Sequence, residues 1–498
     1  MISRQLFLSI TLALIAAISA PASSQAENVL YRDYDLGDGA SPSLDPISPN
    51  RFYQANDLIY SRLIRQDDNG EPSPELATGW TANDDATEWT IALQEGVRFH
   101  DGSAFDAGDV KYSFERINDP ALESPVASVL SMIDHVDVVD DHTAKIVLSS
   151  PHAGLVVLLM DYRVRMIPEG SGDTIGENAV GTGPFKMQTY DPEGTTVLVA
   201  NEDYWEGRPK LDRIELIAIP DTEARTQALL AGQLDVSTIA RDQALLFEGN
   251  DDFVIQNFPT GDWFGIVFRA DTAPFDNPLV RKAVRVAVDR EAMIKLMVGE
   301  GNGIATCDHP VMPGDPYRAE FDCSQNIDEA KRLLAEAGYA DGIEFDLFTS
   351  DLEPGMVRYA EVYQQQVAAA GIAANVVIAP ADGYWEDVWM VETVSMTSWS
   401  QRPADQILNE AFRSTSSWNE SYFNNARFDE FLDLARSSLD FEESKGYYGQ
   451  AQQLLFEEGA TYIGYFDNGF RAVNKRISNF PAVPEDYIRW HLIGKDSE

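Results

Sequence analysis

The stretch from 343 to 380 constrains the fold more than any other part of the chain. "IEFDLFTS" (343–350) alternates apolar and polar residues as a strand does, and "AANVVIAP" (373–380) is strand-like again. Between them, "GMVRYAEVYQQQVAAAG" (355–371) puts Met356, Ala360, Tyr363 and Val367 on one helical stripe and ends on Gly371, a natural helix stop. Strand, helix and strand in succession imply a parallel pair joined by a right-handed crossover. The chain is therefore expected to be an α/β protein.

The rest of the sequence extends this alternation without internal repeats or low-complexity linkers. Strand patterns recur at 88–99, 142–150, 195–201 and 213–219, and "DAGDVKYSFERI" (106–117) offers Asp106 as a helix cap with Val110, Phe114 and Ile117 on one face. "TEARTQALLAGQLD" reads as a helix stopped at Gly232. Beyond the strand-like "FGIVFRA" (264–270) the helices lengthen, with Asn277 and Asp289 as caps and Pro278 at a first helical position. "YFDNGFRAVNK" near the C-terminus is extended again. The simplest assembly has two lobes: a first lobe over 27–265 with an extra subdomain at about 71–179, a second lobe over 266–470, and a return to the first lobe over 471–498.

The first 26 residues carry one early cation, Arg4, an apolar run from Leu6 to Ala20, and small residues Ser24 and Ala26 before Glu27. This is the pattern of a secretory signal peptide, and the run is shorter than the ~20 residues that span a bilayer. No cysteine lies near the cut, so the mature chain is expected to be exported, without a lipid anchor. The chain has 81 acids against 37 bases, a formal charge of −44, which excludes nucleic acid as a partner because phosphate binding needs concentrated Lys and Arg. The acids are spread along the chain and read as a solvated surface.

Cys307 and Cys323 are the only cysteines and flank the turn-rich "CDHPVMPGDPYRAEFDC". In an oxidising compartment such a pair reads as a disulfide. A metal site on Cys307, Asp308 and His309 is the weaker reading, because adjacent residues rarely converge on one ion and the spacing matches no common zinc pattern. The six histidines, His100, His135, His142, His152, His309 and His491, form no cluster in sequence. "GTGPF" (181–185) reads as a tight turn rather than a phosphate loop, since no Gly-Lys-Ser/Thr follows. Adjacent Asp84 and Asp85 make a poor glycosidase pair, and there is no nucleophile elbow.

Four segments, "LIRQDDNGEPSPELATGWTANDDATEWTIALQEGVRFHDGSAFDAGDVKYSFERI" (63–117), "VGTGPFKMQTYDPEGTTVLVANEDYWEGRPKLDRIE" (180–215), "APFDNPLVRKAVRVAVDREAMI" (273–294) and "DEAKRLLAEAG" (328–338), together resemble one family. It is the family 5 extracytoplasmic solute-binding proteins, which includes the dipeptide-, oligopeptide- and nickel-binding components of bacterial ABC importers. The resemblance spans nearly the whole mature chain and is specific to the family, without specifying a ligand. It implies a periplasmic binding protein fold with a ligand cleft between two lobes that close by hinge motion. It also implies delivery of a small-molecule or short-peptide ligand to permease subunits in the inner membrane by a monomer without a cofactor.

In peptide-binding members of the family, an aspartate after a strand-plus-tryptophan segment receives the peptide's ammonium group. Here that neighbourhood reads "TSWSQRPADQ", with Arg402 near the usual acid and Asp405 slightly later. A guanidinium suits a carboxylate, sulfonate or phosphate, and Asp405 is left to receive an ammonium group. The competing reading pairs Arg402 with Asp405 or another acid to hold the loop. Tyr53, Trp263, Trp385, Trp399 and Trp418 are candidate aromatic walls, and Arg163 in "DYRVR" is a second candidate anion anchor. The expected solute is a peptide-like or amino-acid-derived compound, opine-like in bearing carboxylates. A secreted peptide or glycoside hydrolase, or a ligand-sensing receptor subunit without transport, are the alternatives from other classes.

Overall fold

Ile343–Ser350 and Ile372–Ala379 pair in parallel along their whole length, as expected for the crossover unit. The helix Met356–Val367 joins them and buries Met356, Ala360, Tyr363 and Val367. After a last 3-10 turn, Gly371 takes a φ of 80°, a conformation glycine adopts without a Cβ penalty. Val394–Trp399, Trp263–Phe268 and Thr461–Ile463 complete a five-stranded sheet with this pair. The structure, a computed structural model, describes residues 27–34, 42–48, 51–67, 70–247 and 249–496. The signal peptide expected at 1–26 lies outside the described residues.

A second, eight-stranded sheet runs in the order Phe253–Pro259, Tyr465–Asn474, Val236–Thr238, Val29–Tyr34, Arg213–Ala218, Thr195–Ala200 and Phe185–Thr189, with Gly303–Ala305 added on Tyr465–Asn474. The chain passes from this sheet to the five-stranded one between Pro259 and Trp263, and returns at Gly464. The boundaries read from the sequence at 265/266 and 470/471 fall inside strands; the sheets themselves change over earlier. The two crossing segments are bonded to each other, Thr260 N to Asp467 O at 3.1 Å and Asp467 N to Asp262 O at 3.0 Å.

Ala77–Ala82, Glu88–Leu93, Thr143–Leu148 and Ile133–Asp140 form a separate four-stranded antiparallel sheet covered by the helix Ala107–Ile117. Asp106 caps that helix, accepting from Gly108 N at 2.7 Å, while Asp109 accepts from Asp106 N at 2.9 Å. Asn277 and Asp289 cap the next lobe's helices as read from the sequence. Gly181 and Gly183 need a different explanation from the tight turn expected of them. Neither has a positive φ; a Cβ at Gly181 would meet Ile59 O at 2.1 Å, and one at Gly183 would meet Ile59 C at 2.6 Å. Close backbone approach, rather than turning, demands glycine there.

Cys307 and Cys323 are joined, with Cα atoms 5.5 Å apart. Their neighbours do not make a metal site. Asp308 is buried between Arg285 NH1 at 3.1 Å and Arg290 NH2 at 2.8 Å. Burial, followed by repulsion from Arg318, pushes His309 down to about 3. Among the described residues no group of three or more His, Cys, Asp or Glu side chains could hold a metal ion. Replacing both cysteines by alanine is expected to lower stability by ~3 kcal/mol through the longer unconstrained loop in the unfolded chain. Denaturant unfolding checks this, and a variant with the parent's midpoint and slope contradicts it.

Candidate functional site

Arg402 is carried on the short loop between the strand Val394–Trp399 and the helix Ala404–Ala411. The loop is pinned at both ends by carboxylates. Gln401 N donates to Asp262 Oδ1 at 3.0 Å, and Ala404 N donates to Asp315 Oδ2 at 2.7 Å. Asp315 is buried, and burial raises it to about 6 despite the Tyr317 and Ala404 amides that donate to it. The Arg402 side chain is 25% exposed. Its NH1 donates to the neighbouring Gln401 carbonyl at 2.9 Å, whereas its Nε is shielded from solvent without a hydrogen bond. The nearest acid, Glu410, stands 3.8 Å from Nε, an ion pair but not a hydrogen bond.

The Arg402 side chain lines a cavity of about 530 Å³ beside the crossing segments. The wall from the eight-stranded lobe includes Arg32, Tyr53, Tyr162 and Arg471, and the opposite side includes Asp262 with Arg402. Tyr53 opens the helix Tyr53–Ile59 and meets Tyr162 edge-on with ring centroids 5.4 Å apart. Two sequence candidates, Arg402 and Tyr53, are therefore brought to one chamber. A narrower space of about 50 Å³ adjoins it, sharing Tyr162 and Arg402 and reaching Arg163.

The other candidates are placed differently. Asp405 is 4% exposed and fully engaged. It accepts from Arg436 Nε at 2.7 Å and NH2 at 2.9 Å, Tyr448 OH at 2.6 Å and Asn409 Nδ2 at 3.1 Å, with His152 Nε2 at 3.2 Å. It pairs neither with Arg402 nor with anything in the cavity, which corrects its reading as an ammonium receptor. Arg163 reaches the small space, yet its charge is met by Asp161, from Nε at 2.8 Å and from NH2 at 2.5 Å. That bidentate pair leaves it poorly placed to seek a ligand anion.

Trp263 and Trp399 face each other in register and stack at 6.2 Å with planes 14° apart. Both are buried in the core of their lobe, and neither lines the cavity. Trp399 Nε1 donates at 3.1 Å to Glu420, which also accepts from Thr397 Oγ1 at 2.8 Å and from Trp389 Nε1. Burial raises Glu420 above the usual carboxylate range in spite of these donors. Trp418 and Trp385, 47% and 39% exposed, stand edge-on to this group on the lobe surface.

Several cavity residues escaped the sequence reading, Asp262 and Arg471 among them. Asp262 sits at the crossing itself, where burial outweighs the Gln401 amide and Arg402 and raises its carboxyl; Asp467 beside it reaches about 6 through burial and then repulsion from Asp262. Its place between a glycine and the Trp263 strand was the only signal. Arg471 lies mid-strand in "GFRAVNK", where a cation among apolar neighbours was the available hint.

The profile of the bacterial extracellular solute-binding proteins, family 5 Middle, matches residues 71–419. Heme-binding protein A of Haemophilus influenzae is 28% identical over 504 residues, covering 92% of this chain and 91% of that protein. Glutathione-binding protein GsiB of Escherichia coli O157:H7 is 29% identical over 472 residues, covering 89% and 90%. HbpA2 from Haemophilus parasuis superposes with a TM-score of 0.84 at 23% identity over 94% of this chain and all of that one, a likeness of fold. These are binding proteins rather than enzymes, which sets aside the hydrolase alternative. A profile match over most of the chain, with a two-lobed fold to match, establishes that the chain belongs to the bacterial extracellular solute-binding proteins, family 5.

Proposed function

We propose that the protein captures a peptide-like or amino-acid-derived solute in the cavity between its lobes, with an anionic group of the solute held by Arg402. The observation that carries this reading is a guanidinium at the cavity wall whose nearest acid is 3.8 Å away. Asp262, on the same wall, is the acid suited to an amine of the solute, in place of Asp405. Glutathione, named for one relative, and opine-like conjugates share this chemistry of carboxylate and amine. The lobes close on the solute by motion about Thr260–Asp262 and Gly464, and contacts made only in the closed form favour closure. The closed monomer then docks on inner-membrane permease subunits of an ABC importer, after export to the periplasm on the segment 1–26.

Mass spectrometry of solute released by denaturing protein purified from its native periplasm tests this. The expected solute bears at least one anionic group and is recovered chemically unchanged after prolonged incubation with fresh protein. A neutral or purely cationic solute, or conversion that scales with protein concentration, overturns the reading.

A further inference from the structure

Arg471 projects from the strand Tyr465–Asn474 and is 1% exposed. Its guanidinium is held between the rings of Phe258 at 4.6 Å and Phe480 at 5.2 Å. NH1 donates to the Val483 carbonyl at 3.1 Å and lies 3.3 Å from Gln256 Oε1 and 3.4 Å from the Pro481 carbonyl. Nε has no hydrogen bond. Among the described residues no carboxylate lies within ion-pair distance of it. The acid that acts on it most, Glu485, is already taken by Arg32 NH2 at 2.7 Å. Arg32 is itself 3% exposed, and its Nε and NH1 lack hydrogen bonds.

Both arginines line the cavity that Arg402 lines from the other side. A buried cation that must share its one acting acid, Glu485, with a second arginine is costly, and a leucine or methionine would fill the space between two phenylalanines without that cost. The arrangement becomes favourable when an anion enters the chamber. Burial, offset only in part by Glu485 and worsened by Arg32, lowers Arg471 to about 10, in keeping with a cation short of negative charge.

We propose that Arg471, backed by Arg32, is a second anion anchor, so that the solute carries two anionic groups and bridges the lobes between Arg471 and Arg402. This rests on the capture reading above and narrows it to dianionic solutes. Two such anchors on opposite walls also give closure its drive, because only the closed form engages both.

The test uses glutathione and an N-carboxyalkyl alanine, both dicarboxylates, as probes, each alongside its monoamide lacking one carboxylate, titrated calorimetrically into the full-length mature protein. The parent is expected to bind a dicarboxylate at least ten-fold more tightly than its monoamide. Arg471→Met, which keeps the volume between the rings, should remove that preference, and Arg471→Lys should restore part of it. Thermal melts certify that both variants fold. A folded Arg471→Met that retains the parent's preference overturns the second anchor. So does a parent that binds a monoamide as tightly as the dicarboxylate, while its dependence on Arg402 leaves the capture reading standing. A parent that binds none of these probes also overturns the dianionic assignment, and the native-solute measurement then decides the capture reading by itself.

Discussion

Asp405→Ala is expected to cost about 3–5 kcal/mol of folding stability, the range for removing one partner of a buried ion pair and stranding the other. Four side chains donate to this carboxylate, including Arg436 through two nitrogens and Tyr448 at 2.6 Å. One of the four, His152, comes from the lobe carrying the four-stranded sheet, and the adjacent Ala153 N donates to Arg436 O. The carboxylate, on the helix Ala404–Ala411, thus ties the helices Ala426–Ser437 and Phe441–Glu458 of its own lobe to a segment of the other. Arg436 keeps 28% of its side chain in solvent, which places the cost toward the lower end of that range. Although burial alone would raise Asp405, Arg436 and then His152 hold it well below the usual range. Its folded pKa therefore lies under the unfolded value of about 3.9, so the stabilisation is fully present above that value and is lost as pH falls through the folded pKa. Denaturant unfolding across acidic pH should show Asp405→Asn less stable than the parent above about pH 4, with the gap closing below it. An unchanged midpoint for Asp405→Ala would return that residue to the list of ligand contacts.

Arg402→Ala is expected to weaken solute binding by about 2–5 kcal/mol, the effect of deleting one partner of a desolvated charge pair. Its contribution to folding is much smaller. The Glu410 contact is long and partly exposed, and such pairs contribute roughly 0–1 kcal/mol. Melting should therefore stay near the parent's while affinity falls. Arg402→Lys should recover only part of the affinity, since an ammonium cannot offer paired planar donors. Titration calorimetry of the released native solute against both variants checks this. Full affinity in Arg402→Ala, or loss of binding only in step with loss of folding, makes Arg402 a loop-holding residue.

The elements were legible because local chemistry decides them. The 343–380 unit, the Asp106, Asn277 and Asp289 caps and the Cys307–Cys323 pairing all follow from residues close in sequence. The candidate site was legible only in part. Arg402 stood out because its own neighbours, Trp399 and Asp405, mark the position, and Tyr53 reached the same cavity. Asp405 was misread because its partners, His152, Arg436 and Tyr448, come from distant segments, His152 from 253 residues away. Trp263 and Trp399 looked like ligand walls because the strand pairing that stacks them on each other in the core is invisible in either segment alone. Arg471 was missed for the complementary reason. Its strand pattern is ordinary, and only the folded chain brings it to a cavity where the acid acting on it most, Glu485, is already bonded to Arg32.

A crystal structure of the protein with its native solute tests the central claim most directly. The account predicts an anionic group of the solute in the chamber beside Tyr53, within hydrogen-bond distance of the Arg402 guanidinium, about 2.7–3.2 Å. A solute that leaves Arg402 against Glu410 and places its charge elsewhere, or that binds outside this chamber, contradicts it.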